Sequence, residues 1–188
     1  MRFRQLLFFT LLVAFFATGC IFSPDNDEEP PTKPPVTCSK ARTPDQALNI
    51  FKEVYSDWNL DCYRELLSPD YIFVNLDGNY TNYDNEIAIS EKMFNGLAGR
   101  DGVIISDISV VQLDPTDTWE DTVPSDPDFG GFPDSKYQAY DIEIRFTISG
   151  QNLVYLVKGP VVYYVTNEGS DSDPDYKLLG MRDQTAVP

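Results

Sequence analysis

The run of alternating side chains between Tyr140 and Ser149 constrains this chain more than any other feature. Tyr140, Ile142, Ile144, Phe146 and Ile148 alternate with Asp141, Glu143, Arg145, Thr147 and Ser149. A period of two puts one row in a core and the other in water. Ser149, Gly150, Gln151 and Asn152 supply a turn. Leu153, Val154, Tyr155, Leu156 and Val157 then follow with apolar side chains on both faces, which predicts a strand lying inside a sheet. Gly159 and Pro160 interrupt that strand before Val161 to Val165 resumes. Proline cannot donate to a ladder, so a bulge or strong bend is expected there. The stretch from Tyr137 to Val165 is therefore one long curved hairpin against which the rest of the chain must pack.

Helices precede it. Thr43-Pro44-Asp45-Gln46 is a helix start, with Thr43 as N-cap, Pro44 in the first turn and Gln46 closing a capping box. Ala47, Phe51, Val54, Tyr55 and Trp58 recur at helical spacing beyond it. A short helix is expected over 62–67, ended by Ser68-Pro69. A strand over 71–76 and a tight turn at Asp77-Gly78 come next. Asp84 or Asn85 should cap a further helix that buries Ile87, Met93, Phe94 and Leu97. A strand over 102–113 with a bulge near Asp107 and a last strand over 176–185 complete the pattern. Early helices and late antiparallel strands predict an α+β domain with the helices on one face of a curved antiparallel sheet.

The segment Tyr63-x-x-Leu66-Leu67-Ser68-Pro69-Asp70-Tyr71, the 85–97 helix and the closing Gly180-Met181-Arg182-Asp183-Gln184-Thr185 resemble bacterial lipoproteins of the nuclear-transport-factor-two-like, or SnoaL-like, superfamily. That resemblance spans about residues 43–185. It implies a cone-shaped fold, with the N-terminal helices packed on the concave face of the sheet and a cavity between the two layers. It implies no particular activity, because such a fold carries isomerases, dehydratases and transport factors alike.

The first nineteen residues carry Arg2 and Arg4 and an apolar run from Leu6 to Ala17, shorter than the roughly 20 residues a spanning helix needs. They read as an export signal. Ala17-Thr18-Gly19-Cys20 resembles the lipobox of bacterial lipoproteins, which implies lipidation of Cys20 and a mature chain beginning there. Ile21 after that cysteine favours the outer membrane by the sorting rule known for some such bacteria. Residues 20–42 combine prolines with Asp25, Asp27, Glu28 and Glu29 and predict an extended tether. The domain is then 43–188, held in the cell envelope through its lipid anchor.

Cys38 and Cys62 remain as an even pair in an oxidising compartment. A helix of ~20 Å separates them, at about 1.5 Å per residue, yet the tether can fold back to close that gap. They are the candidate disulfide.

Composition excludes several functions. Thirty acidic residues against 14 basic ones leave a formal charge of -16, which argues against a nucleic-acid partner. The chain has no histidine, which removes Ser-His-Asp and Cys-His nucleophiles, histidine-bound metals and the His-Asp dehydratases of the resembled superfamily. No cofactor is expected.

Two local features could bind something. Asp171, Asp173 and Asp175 stand at alternate positions as in a calcium loop, but Tyr176 and Arg182 occupy the places of its turn glycine and bidentate glutamate. The insertion 114–136 carries Asp117, Glu120, Asp121, Asp126 and Asp128 with Trp119, Phe129 and Phe132, and could be a lid or a partner-binding loop. The expected role is binding of a protein partner or a small apolar ligand without catalysis. A buried-carboxylate isomerase or lyase and a calcium-dependent adhesin are the alternatives. A cavity holding an Asp or Glu beside a Tyr would favour the enzyme, and one filled by Phe, Tyr and Leu the scaffold.

Overall fold

The computed structural model describes residues 38–99, 102–132, 134–151 and 153–184. Its elements run α1 (Pro44–Ser56), α2 (Leu60–Leu66), β1 (Leu67–Val74), β2 (Tyr80–Asn82), α3 (Tyr83–Phe94), β3 (Ile105–Pro115), β4 (Glu120–Asp121), β5 (Ser135–Ile148), β6 (Val154–Asn167) and β7 (Tyr176–Asp183). The export signal, Cys20 and nearly all of the tether lie outside the described residues.

β5 and β6 pair antiparallel without a register break from Ser135↔Thr166 to Thr147↔Val154. The expected bulge at Gly159-Pro160 is absent. The carbonyl of Pro160 accepts from the Gln184 amide at 3.0 Å, so that peptide edge faces the β7 side and the missing proline N–H costs the β5–β6 ladder nothing.

The sheet has the order β2-β1-β7-β6-β5-β3, with β4 beside β5. It is mixed rather than wholly antiparallel, because β1 runs parallel to β7. This departure follows from α1, α2 and β1 standing first in the chain, so that β1 enters the sheet beside the last strand. β1 begins at Leu67, before Pro69, and its register against β7 shifts between Leu67 and Ile72, which accommodates the proline. β2, short and polar, carries no period and was not foreseen. The bulge near Asp107 is present, as a register shift between Ile105 and Asp107.

α1 begins as its residues dictate. Thr43 Oγ1 accepts from the Gln46 amide at 3.2 Å, and Gln46 Oε1 accepts from Arg42 N at 2.7 Å, one residue earlier than a capping box would place it. It ends sooner than the apolar stripe suggests. Trp58 takes φ 58° and the Asn59 amide reaches back to Val54 O at 2.8 Å, the 6→1 bond of a Schellman cap. A tryptophan in the left-handed region is strained by about 1–2 kcal/mol. Its ring stacks on Phe94 at 6.4 Å, which offsets that strain. α3 is capped by Asn82 rather than Asp84 or Asn85, and Leu97 lies exposed beyond its end.

Two cores result, one on each face of the sheet. The larger joins Leu48, Phe51, Tyr63 and Leu66 of the helices to Tyr140, Ile142, Tyr163 and Val165. The smaller comprises Val74, Phe129, Val162, Tyr164 and Leu179 on the opposite face. Phe129 comes from the insertion. It is fully buried and lies flat on Tyr164 at 3.7 Å. A Cβ on Gly180 would stand 2.5 Å from the Phe129 ring, so only glycine admits this contact. Arg182 clamps the same loop, donating to Asp126 at 2.7 Å and Asp128 at 2.6 Å. Burial alone would raise the Asp126 carboxyl, but bonds from Arg182 and from the Phe129 and Asp128 amides outweigh it and hold the pKa at about 2.

The segment before α1 is also fixed. Cys38 and Cys62 are joined, with Cα atoms 5.2 Å apart, which stabilises by about 3 kcal/mol on loop-entropy grounds. Ala41 is buried and its carbonyl accepts from the Tyr176 amide at 2.8 Å. Residues 38–42 are thus fixed to the domain ahead of α1, whose first residue lies six beyond Cys38.

Candidate functional site

Helical spacing in α1 turns Phe51 and Tyr55 toward the sheet, and the outward-inward alternation of β5 and β6 turns Ile142, Ile144, Phe146, Val157 and Tyr163 toward the helices. Tyr63 of α2, Tyr71 and Phe73 of β1, and Leu178 and Met181 of β7 close the remaining sides. Between them lies a cavity of about 200 Å³. Its rings are mutually braced: Phe51 and Tyr163 lie 5.7 Å apart, and Tyr55 meets Tyr63 edge-on at 5.4 Å.

One carboxylate enters this apolar space. Glu86, in the first turn of α3, accepts from the Tyr63 hydroxyl at 2.8 Å and from the Ser90 hydroxyl at 3.2 Å. Ser90 follows Glu86 by four residues and so lies on the same helical face. Burial raises the Glu86 pKa above its ordinary value, and the two donated bonds only partly oppose that. Burial likewise pushes the hydroxyls of Tyr55, Tyr63, Tyr71 and Tyr163 up, with the negative Glu86 adding to the shift in the first three. They stay protonated and available as donors. The Tyr163 hydroxyl is buried without a hydrogen-bond partner, a costly arrangement of about 1–3 kcal/mol.

The residues singled out from sequence lie elsewhere. Asp173 pairs with Lys40 at 3.1 Å and also with Arg42, and Asp175 pairs with Lys177 at 3.2 Å. Asp171 is exposed at the hairpin tip. Among the described residues no group of three or more acids or cysteines could hold a metal ion. Trp119 packs toward Tyr140 and donates to Asp45 at 2.8 Å. Phe132 is half-buried against the second core, and Phe129 is sealed within it. Phe129 and Phe132 thus pack on the far face of the sheet, and Trp119 on the helix side. Glu86 escaped notice because an acid in a first helical turn reads as a partner for the helix dipole. Its signal was the Glu86–Ser90 spacing beside Ile87 and Phe94.

Among solved structures, the chain is similar to a protein from Novosphingobium aromaticivorans described as a candidate scytalone dehydratase, at 8% identity over 76% of this chain and 81% of that one, with a TM-score of 0.52. A candidate aromatic ring hydroxylase from the same organism gives 9% identity, 77% and 87% coverage and a TM-score of 0.51. An NTF2-like superfamily protein from Salmonella enterica gives 11%, 76%, 88% and 0.48. The two Novosphingobium proteins share the α+β fold described above, with helices on one face of a mixed sheet. At such identities the likeness reaches no further than the fold. No model of a protein family matches the sequence, and no curated protein does.

Because the folded state holds the Glu86 proton more tightly than the unfolded chain, it binds more protons in the window that opens near pH 4.5. Stability therefore falls as pH rises through that window. Glu86→Gln should flatten this slope, leaving the variant more resistant to urea than the wild type at pH 7 but not at pH 4; equal slopes in both proteins would count against a buried, uptitrated Glu86.

Proposed function

We propose that this is a lipid-anchored envelope domain that binds a small apolar molecule bearing one hydroxyl or carbonyl group in the cavity beneath α1. The observation that carries this reading is an apolar cavity of about 200 Å³ whose lining includes Tyr163, a residue whose buried hydroxyl has no hydrogen-bond partner. An apolar cavity of about 150 Å³ accepts benzene, so one ring with a short substituent fits here. A ligand oxygen that reached the Tyr163 hydroxyl would give it the partner it lacks. Removing a hydroxyl that has no partner should not weaken the fold. Tyr163→Phe is thus expected to melt at or above the wild-type temperature, and to lose about tenfold in affinity for acetophenone or benzyl alcohol while keeping its affinity for benzene. Equal affinities for all three probes in both proteins would remove the hydroxyl from the site.

The anchor rests on Ala17-Thr18-Gly19-Cys20 and the apolar run before it. Metabolic labelling with a clickable palmitate analogue should mark the wild type and not Cys20→Ser. Label retained by the variant would locate the acyl chain elsewhere.

One observation favours a second reading, a histidine-free isomerase or lyase. A carboxylate with a raised pKa beside a tyrosine in an apolar cavity is suited to moving a proton next to a carbonyl. Glu86 would take the proton and a tyrosine hydroxyl would donate to the developing oxyanion. Exchange of the methyl protons of acetophenone in D2O, followed by NMR, should be accelerated by the wild type and not by Glu86→Gln; no acceleration leaves the binding role alone.

A further inference from the structure

β7 runs beside β6 only from Asn167 to Val161, where its pairing ends at Asp183. The remaining arm of β6 bonds β5 on one side and has no strand on the other among the described residues. The directions of its backbone groups follow from two bonds. Leu153 O accepts from Ile148 N of β5 at 3.1 Å, whereas Pro160 O accepts from Gln184 on the β7 side. Odd-numbered residues therefore point their amides and carbonyls at β5. Val154, Leu156 and Lys158 point theirs at the open edge.

The side chains there are equally uncovered. Val154, Tyr155, Leu156 and Val157 are 47–56% exposed, although a run apolar on both faces predicts burial. Natural sheets guard open edges with charges, prolines or bulges. Leu153 to Val157 holds none of these, and the pairing with β5 continues unbroken through it. Tyr155 also walls an open groove with Ile89, Leu97 and Ile105, and Ile89 and Leu97 are more than half exposed.

We infer that this edge pairs with the same edge of a second copy of the chain, antiparallel about a two-fold axis near Leu156, to make a sheet continuous across two molecules. An antiparallel edge is complementary to itself under a two-fold rotation, which is the geometry of isologous dimers. Area supports a copy rather than a chance contact. Leu153, Val154, Tyr155 and Leu156, with Ile89 and Leu97 beside them, are each about half exposed; at roughly 100 Å² each they offer about 600 Å² per chain and about 1,200 Å² in all, which is in the range of specific interfaces. Charge permits it as well: the only ionised residue from Leu153 to Lys158 is Lys158, already bonded to Glu143 at 3.2 Å, so two strongly acidic molecules meet where neither carries an unpaired carboxylate. This inference is independent of what the cavity binds.

The test uses the full chain carrying Cys20→Ser, so that no acyl chain brings copies together, in sedimentation velocity and hydrogen exchange. The mass of two chains is expected, with the Val154, Leu156 and Lys158 amides exchanging at least tenfold more slowly than in Leu156→Lys, and with Leu156→Lys monomeric and as folded as the parent by circular dichroism. A monomeric parent protein overturns the proposal. So does a dimer that survives Leu156→Lys, or one whose three edge amides exchange as fast as in that variant.

Discussion

Everything in this fold leans on the uninterrupted pairing of β5 with β6. The two strands cross the whole sheet, and their alternation sends Tyr140, Ile142, Ile144 and Tyr163 to one face and Val162 and Tyr164 to the other. Each face then needs a cover. The helices cover the first, leaving a gap where four tyrosines and Glu86 meet. Phe129 and the Arg182 clamp cover the second. A slip of one residue in this ladder would exchange the two rows and expose both cores at once. Pro160 is tolerated at its centre only because its ring nitrogen faces the side on which β7 is ending.

Much of this was legible in the residues. The Tyr140–Ser149 alternation, the Thr43 cap and the α+β order are local patterns, and local patterns survive into the structure when nothing distant competes with them. The misses share one cause, a tertiary neighbour that no local pattern encodes. Trp58 sits on the apolar stripe of α1, but its stacking on Phe94 holds it outside the helix. The continuous apolar run at Leu153–Val157 implied two covered faces, yet β7 stops short of it. Phe129 looked like a free aromatic in an acidic loop. What buries it is Gly180, some fifty residues away in sequence, whose missing side chain leaves room for the ring.

The cavity shows the same limit in its chemistry. Neither Glu86 nor Tyr63 is unusual in its own helix; the pair exists because α2 and α3 pack on the same end of the sheet. Placing a carboxylate among aromatic rings costs desolvation, and the donated bonds of Tyr63 and Ser90 recover only part of it. A scaffold that needed only stability would fill that space with a leucine. The retained charge and the unpartnered Tyr163 hydroxyl both belong to side chains that line the cavity, so these costs are concentrated there.

The covalent link at Cys62 connects this site to the N-terminal segment. Cys62 is bonded to Cys38, and the next residue, Tyr63, donates to Glu86. The disulfide therefore joins Cys38 to α2 one residue from the hydroxyl that holds the cavity carboxylate. The Lys40 and Arg42 bridges to Asp173, with the Ala41–Tyr176 bond, tie the same five residues to the β6–β7 turn. Such a root resists motion from three sides. It holds the start of α2, and with it the Tyr63–Glu86 pair, to the β6–β7 turn.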